Sequence, residues 1–268
     1  MKRKLFFIYG VACHVLFLVV YAWMAAFVGN IGQRWIPTID GPPKGPLAMS
    51  LLVNTALAGV FALQHSVMAR PAFKRWWTRF IPQPIERSTY VLLSCVAMAL
   101  LLWQWQPLGG VVWDVQNHYG RALLHGLFAC GWLAVPAVSL LINHFDLFGT
   151  RQVWLHLHGK EYTDPPFRTP LIYRYVRHPL YIGWLTAFWA APTMTVTHLV
   201  FAGLMTAYIL AAIPFEERDL VDHFGEVYLR YRRNVGGLIP KWVRPGSPKT
   251  QEESKTLSPS LDVVNLRA

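Results

Sequence analysis

The sequence predicts an all-α, polytopic membrane bundle, and three observations predict it. Hydrophobic residues make up 54% of the 268 and charged residues only 15%, against roughly a quarter charged in soluble domains. Five stretches carry no Asp, Glu, Lys or Arg over lengths near the roughly 20 residues a helix needs to cross the hydrocarbon layer. None of them alternates with period two, so helices rather than barrel strands satisfy the backbone in lipid. This profile excludes a disordered chain and argues against a water-soluble globule.

The elements follow in order. Leu5–Val28 is the first apolar stretch, behind Met1-Lys2-Arg3-Lys4. That start resembles a signal-peptide n-region, but the apolar part outruns an h-region and no small-residue cleavage site closes it. It reads as a signal anchor or first span. Asn30–Gly45, rich in Gly and Pro, is an outside loop. Leu47–Ala69 is the second span, followed by Arg70–Thr89, where Trp76 and Trp77 stand among basic residues as in an interfacial segment. Tyr90–Trp105, extendable to Leu108, is the third span, and Pro107–Gly120 the second outside loop. Ala122–Ile142 is the fourth. Pro179–Ala191 is too short to span comfortably alone. Joined by Pro192-Thr193-Met194-Thr195 to Val196–Ile213, it forms a helical hairpin, tilted or partly re-entrant, for about five to six transmembrane segments in all. Residues 1–244 read as one integral membrane domain, and the Ser/Pro/Lys/Glu-rich tail, 245–268, as disordered. No internal repeat is visible.

The formal net charge of +11 suggests nucleic acid at first sight, but its placement gives another reason. With the N-terminus inside, segments 1–4, 70–89, 143–178 and 214–268 hold 22 of the 25 Lys/Arg, and only Arg34, Lys44 and Arg121 fall elsewhere. This is the cytoplasmic bias of an inner-membrane protein with both termini inside, so no nucleic-acid partner is expected. Cys13, Cys95 and Cys130 lie in apolar runs, which excludes a disulfide framework or a Cys-based zinc site. The histidines lack ligand spacing, so no metal is expected.

Two segments exceed what membrane packing demands. In Tyr173-Arg174-Tyr175-Val176-Arg177-His178-Pro179-Leu180-Tyr181-Ile182-Gly183, Pro179 suits a first helical turn and pushes His178 toward extended backbone. Arg177 and His178 then stand beside a helix N-terminus, whose free N–H groups favour an anionic partner. The plainer alternative is that Arg174 and Arg177 anchor lipid headgroups. The second segment, Phe215-Glu216-Glu217-Arg218-Asp219-Leu220 with Tyr228 and Tyr231 beyond, emerges at the same end of the hairpin. A basic pair facing an acidic pair suits a zwitterion, with Arg for its carboxylate and Glu for its ammonium. The alternative is a solvated interfacial helix.

Arg177-His178-Pro179-Leu180-Tyr181-x-Gly183 with Glu216-Glu217-Arg218-x-Leu220-x-x-x-Phe224-Gly225-x-x-Tyr228-x-x-Tyr231 resembles the C-terminal core of the isoprenylcysteine carboxyl methyltransferase-like integral membrane methyltransferases. The resemblance implies a core at about 173–240 that binds S-adenosylmethionine (SAM), through Tyr173, Arg177, His178 and Tyr181 on one arm and Glu216, Glu217 and Tyr231 on the other. Val235-Gly236-Gly237 departs from the Val-Pro-type segment usual there, where the resemblance implies a lid over the adenosine. Gln64-His65-Ser66-Val67-Met68-Ala69-Arg70-Pro71 resembles the NnrU-like membrane proteins. Asn143-His144-Phe145-Asp146-Leu147-Phe148-Gly149-x-Arg151-Gln152-Val153-Trp154 with Pro166-Phe167-Arg168-Thr169-Pro170 resembles, more particularly, the bacterial methanethiol S-methyltransferases. That resemblance implies a small volatile thiol as substrate, with dimethyl sulfide and S-adenosylhomocysteine as products.

Methylating a thiol needs a base or stabilisation of the thiolate, because a model thiol titrates near 8.5. His65 is the leading candidate base. It lies four residues before the end of the second span, and an ionisable residue there is a functional candidate by default; the alternative is a histidine bonded across helices for packing. His144 and Asp146 are rivals on the same side, Asp146 either orienting a histidine or capping a helix. Gln64, Asn143 and Phe148 are candidate substrate contacts. His14 and His125 read as packing residues, and His156, His158, His198 and His223 as surface or interface residues. Competing functions are methylation of a larger thiol, a prenylcysteine or a lipid, and, in a different class, haem binding or transport with His14 and His65 as axial ligands.

Overall fold

The computed structural model describes residues 1–241; the predicted disordered tail, 245–268, lies outside the described residues. Helices follow in the order α1 (Lys2–Val28), α2 (Leu47–Ala69), α3 (Pro71–Trp77), α4 (Glu86–Gln104), α5 (His118–Ile142), α6 (His144–Leu147), α7 (Thr150–Leu157), α8 (Pro179–Trp189), α9 (Val196–Phe224) and α10 (Glu226–Asn234). Among the described residues α1, α2, α4 with the 3-10 turn before it, α5 and α9 are long and apolar enough to cross a membrane. The chain is an all-α, multi-pass membrane bundle.

Its core is tightest at the end of the bundle where α1 and α4 stop and α9 starts, where Phe27, Leu101, Leu102 and Phe201 are completely buried. α4 packs between α1 and α2, while α5 lies along α8. That second contact is backbone to backbone: a Cβ on Gly131 would stand 2.5 Å from the Ala187 nitrogen, the close approach that small residues permit in membranes. Gly183 meets Val135 in the same antiparallel run. One turn further along α5, Ser139 is therefore level with Pro179, at the start of α8.

Two short strands, β1 (Val111–Asp114) and β2 (Thr193–Thr195), pair antiparallel, with an irregularity between Val111 and Trp113. Pro192-Thr193-Met194-Thr195, expected only as a tight connection, is thus strand-paired to the loop between α4 and α5. The Val115 N–H donates to the Pro192 carbonyl (2.9 Å) and the Trp113 indole N–H to the Ala191 carbonyl (3.1 Å). This pairing resolves the reach of the hairpin. The 11 residues of α8 rise only about 17 Å, but the extended chain after it meets β1 at the end of the bundle where α4 stops and α5 starts. The hairpin turn and its charged ends therefore lie at opposite ends of the molecule. α9, at 29 residues, rises about 43 Å, longer than the hydrocarbon layer. It continues through Pro214 and carries Glu216 and Glu217 on the polar projection.

Candidate active site

Local sequence sets up both arms. Pro179 opens α8 and leaves His178 as its non-helical N-cap, as a residue before proline prefers. Facing it, the projecting end of α9 carries Glu216 and Glu217, and α10 folds back after Gly225 to bring Tyr228 and Tyr231 alongside.

The predicted arms meet. One oxygen of Glu217 accepts from Arg177 Nε (2.8 Å), Arg177 Nη2 (2.6 Å) and His178 Nε2 (3.0 Å). His178 is 4% exposed and Glu217 8%, so these are buried charge-assisted bonds. The Tyr181 hydroxyl donates to Glu216 Oε2 (2.8 Å), and His178 Nδ1 lies 3.8 Å from that oxygen. Burial alone would raise the Glu217 carboxyl, but hydrogen bonds from His178 and Arg177, and their charges, hold it below its usual value.

Arg177 also ties down the segment after α10. Its Nη1 donates to the carbonyls of Arg232 (3.1 Å) and Val235. Backbone N–H groups of Arg177 and His178 donate to Gly236 O (2.8 Å) and Gly237 O (3.2 Å), and Val176 bridges Gly236 in parallel. A Cβ on Gly236 would sit 1.8 Å from the Ile239 carbonyl oxygen. The Val235-Gly236-Gly237 departure therefore falls where the chain recrosses its own backbone too closely for a side chain.

Tyr173 and Tyr231 join on the flank, the Tyr231 hydroxyl donating to the Tyr173 carbonyl (2.6 Å) with Phe167 against the Tyr231 ring. Burial pushes Tyr231 up to about 12, against the pull of Arg177. Burial also raises Tyr173, with Glu216 and Tyr231 adding to it. Both phenols remain protonated donors at neutral pH. A cleft of about 350 Å³ opens beside the clasp, with Arg177, Pro214, Glu217, Arg218 and Arg232 among its walls.

His65 faces the bundle interior. Ser94 Oγ donates to the Tyr90 carbonyl (2.9 Å), so at 3.1 Å from His65 Nδ1 it accepts that ring N–H. The Tyr90 hydroxyl lies 3.0 Å from His65 Nε2, 3.1 Å from Nδ1 and 3.3 Å from the His65 carbonyl; with the Nδ1 proton donated to Ser94, Nε2 is the ring nitrogen left to accept it. Phe61 stacks on the ring, and Tyr208 of α9 lies edge-on to it. At the end of α2, Arg70 pairs with Asp219 at 2.8 Å, linking this helix to the charged end of α9. Gln64 donates to Met68 Sδ, while its buried Oε1 has no partner. Sequence reasoning missed Tyr90, Ser94 and Tyr208 because each sits in an apolar span with no local motif.

His144 is placed against His14, their Nε2 atoms 3.1 Å apart. His14, a packing residue by sequence, is thus part of a polar network. Burial and, second, the neighbouring His14 hold His144 below its ordinary value. Phe148 stacks on Phe17 with ring centroids 3.9 Å apart and lies against both histidines. Asn143 caps the end of α5. The expectation that Asp146 orients a histidine is corrected: its carboxylate takes Arg151 (3.0 Å) and Tyr162 (3.2 Å), which fasten the turn between α6 and α7. His198 is corrected as well. It is 2% exposed, and its Nε2 bonds the Phe188 carbonyl inside the hairpin. His14 and His65 occupy separate networks, so they do not face one another as an axial pair would. Among the described residues no group of three His, Cys, Asp or Glu is placed to hold a metal ion.

The fold and the clasp define a multi-pass helical membrane protein with a cluster of opposite charges at one end of its hairpin. The chain is 51% identical over 241 residues to the methanethiol S-methyltransferase of Crocosphaera subtropica, covering 90% of this chain and 93% of that protein. It is equally similar to the methanethiol S-methyltransferase of Mycobacterium tuberculosis, covering 90% of this chain and 98% of that one. The chain belongs to the methanethiol S-methyltransferase family. It is also 30% identical over 197 residues to nurim of Sus scrofa, covering 70% of this chain and 73% of that protein. No family model matches the chain, and no solved structure matches it.

Proposed function

We propose that this chain is an S-adenosylmethionine-dependent thiol S-methyltransferase that converts methanethiol to dimethyl sulfide, leaving S-adenosylhomocysteine. The observation that carries this reading is the convergence of Arg177, His178, Glu216 and Glu217 at one end of the hairpin, in a chain half identical to relatives named for that activity. The donor set fits the amino-acid end of SAM, which is zwitterionic. Arg177 and His178 suit its carboxylate, and Glu216 and Glu217 its ammonium. Tyr173, Tyr181 and Tyr231 add hydroxyls and rings beside them, within a binding core at about 173–240.

SAM supplies a methyl group on a positively charged sulfur. The chain's own residues must hold the thiol in line with that methyl and accept the thiol proton. His65 with Tyr90 is arranged for the second task. As the S–H proton passed to the Tyr90 oxygen, the phenolic proton would pass to His65 Nε2; the thiol sulfur pair would form the new carbon–sulfur bond while the methyl carbon's bond to the donor sulfur breaks, its pair staying on that sulfur as the neutral thioether of S-adenosylhomocysteine. Ser94 fixes the ring tautomer that makes Nε2 the acceptor.

The basic bias of segments 1–4, 70–89, 143–178 and 214–268 supports cytoplasmic termini and a clasp facing the cytoplasm from an inner membrane. Membranes carrying the chain, given SAM and methanethiol, should release dimethyl sulfide into the headspace. No release above that from membranes lacking the chain would overturn the reading.

A further inference from the structure

Where α1 meets the end of α5, α6 and α7, four side chains form a directional chain of hydrogen bonds. Ser139 Oγ lies 2.8 Å from the Pro136 carbonyl, which can only accept, so the serine proton points there. Ser139 then accepts from His144 Nδ1–H at 2.7 Å. With the ring neutral, as its lowered affinity for a proton favours, His144 Nε2 is bare and accepts from His14 Nε2–H at 3.1 Å. His14 Nδ1 is bare in turn and takes the Thr150 hydroxyl proton at 2.8 Å. Every proton in the chain is committed, and its last oxygen is that of Thr150.

Thr150 lines a cleft of about 410 Å³ whose other walls are Phe7, Phe145, Trp154 and Arg151. Arg151 is engaged elsewhere, on Asp146 and Thr163. The cleft therefore offers aromatic faces and one hydroxyl whose hydrogen is spent, leaving only lone pairs. Such a site selects a small apolar molecule that carries one weak donor. Sulfur beside aromatic rings adds to the fit. Phe145 (57% exposed) and Trp154 (52%) stand on the outer surface of the bundle, and α7 lies against the first half of α1, with Trp154 at Phe7 and Thr150 at His14. The cleft is thus open at the surface of the bundle.

We propose that this cleft is a reception site for a small alkanethiol, its S–H donating to Thr150 Oγ, with the His14–His144 pair holding Thr150 in accepting orientation. The inference rests on the thiol being the substrate. By the antiparallel α5–α8 register, with Gly131 at Ala187 and Gly183 at Val135, Ser139 at one end of the network falls near the start of α8, while Thr150 at the other end lines the cleft.

Two measurements on the purified full chain test it. Thr150→Val, isosteric but without the acceptor, should raise KM for methanethiol about two- to fivefold, as expected for losing one weak hydrogen bond. Turnover at saturating thiol and SAM affinity should be unchanged, and Thr150→Ser should restore KM. Separately, ethanethiol added without SAM should quench a fluorescence component that Trp154→Phe lacks. An unchanged KM in Thr150→Val, the result expected if a lipid acyl chain fills the cleft, overturns the proposal, as does the absence of Trp154 quenching. If quenching occurs while the wild type makes no dimethyl sulfide, the reception site stands and the methyltransfer reading fails.

Discussion

Removing Glu217 probes the clasp most sharply. Glu217→Ala deletes the acceptor of three bonds at 2.6–3.0 Å from Arg177 and His178. The Arg177 side chain is 12% exposed and that of Glu217 10%, so solvent replaces little of what is lost. Breaking a buried ion pair from one side costs about 3–5 kcal/mol. Arg177 keeps its bonds to the carbonyls of Arg232 and Val235, which places the expected loss near the lower end, about 3 kcal/mol. For the ligand, one charge-assisted bond from an ammonium is worth about 1.5–3 kcal/mol, or roughly ten- to a hundredfold in affinity. Calorimetric titration of S-adenosylhomocysteine into detergent-purified protein reads the second effect, and thermal unfolding in the same detergent reads the first. Glu217→Gln, which keeps the shape and one acceptor oxygen, should fall between. If Glu217→Ala and Glu217→Gln both remain folded and bind S-adenosylhomocysteine with wild-type affinity, the clasp is not the cofactor site.

Three further outcomes are expected. His65→Ala and Tyr90→Phe should each cut kcat about 100-fold or more without changing SAM affinity, and the double variant should be no worse than the poorer single one; full rates across the pH range in either would remove the pair from the chemistry. Gly236→Ala forces a Cβ into the Ile239 carbonyl and should detach the segment that Arg177 holds, weakening S-adenosylhomocysteine binding while leaving the helical content by circular dichroism unchanged. His144 is held below its ordinary value of 6.5 by burial and then by His14. The unfolded chain therefore takes up the proton first as the pH falls, so this contribution to stability is present above about 6.5 and is lost below it. Melting temperatures should drop through that range, and His144→Gln should show a shallower drop.

The helices and both arms of the clasp were legible in the sequence because their signals are local. Apolar runs without charge mark spans, proline marks the start of α8, and adjacent charges mark the arms. Even the close α5–α8 contact left a trace, in Gly131 and Gly183 within apolar runs. What stayed hidden is non-local. β1 and β2 are four and three residues long and stabilise each other only across some eighty positions of chain, so neither has a periodicity to detect. His14 meets His144 across 130 positions, and nothing beside either residue announces the other. Tyr90 and Ser94 matter because α4 turns them toward His65, a choice of helix face set by packing against α1 and α2. Asp146 misled for a related reason: its neighbours in sequence are His144 and Phe145, but its partners in space are Arg151 and Tyr162.

The most direct measurement supplies membranes bearing the chain with SAM labelled by a trideuteromethyl group, together with unlabelled methanethiol, and weighs the headspace product by mass spectrometry. Dimethyl sulfide carrying one intact trideuteromethyl group, lost when Glu217 is replaced by alanine, is the predicted result. Unlabelled dimethyl sulfide, or labelled product from Glu217→Ala at the wild-type rate under subsaturating SAM, would contradict the account.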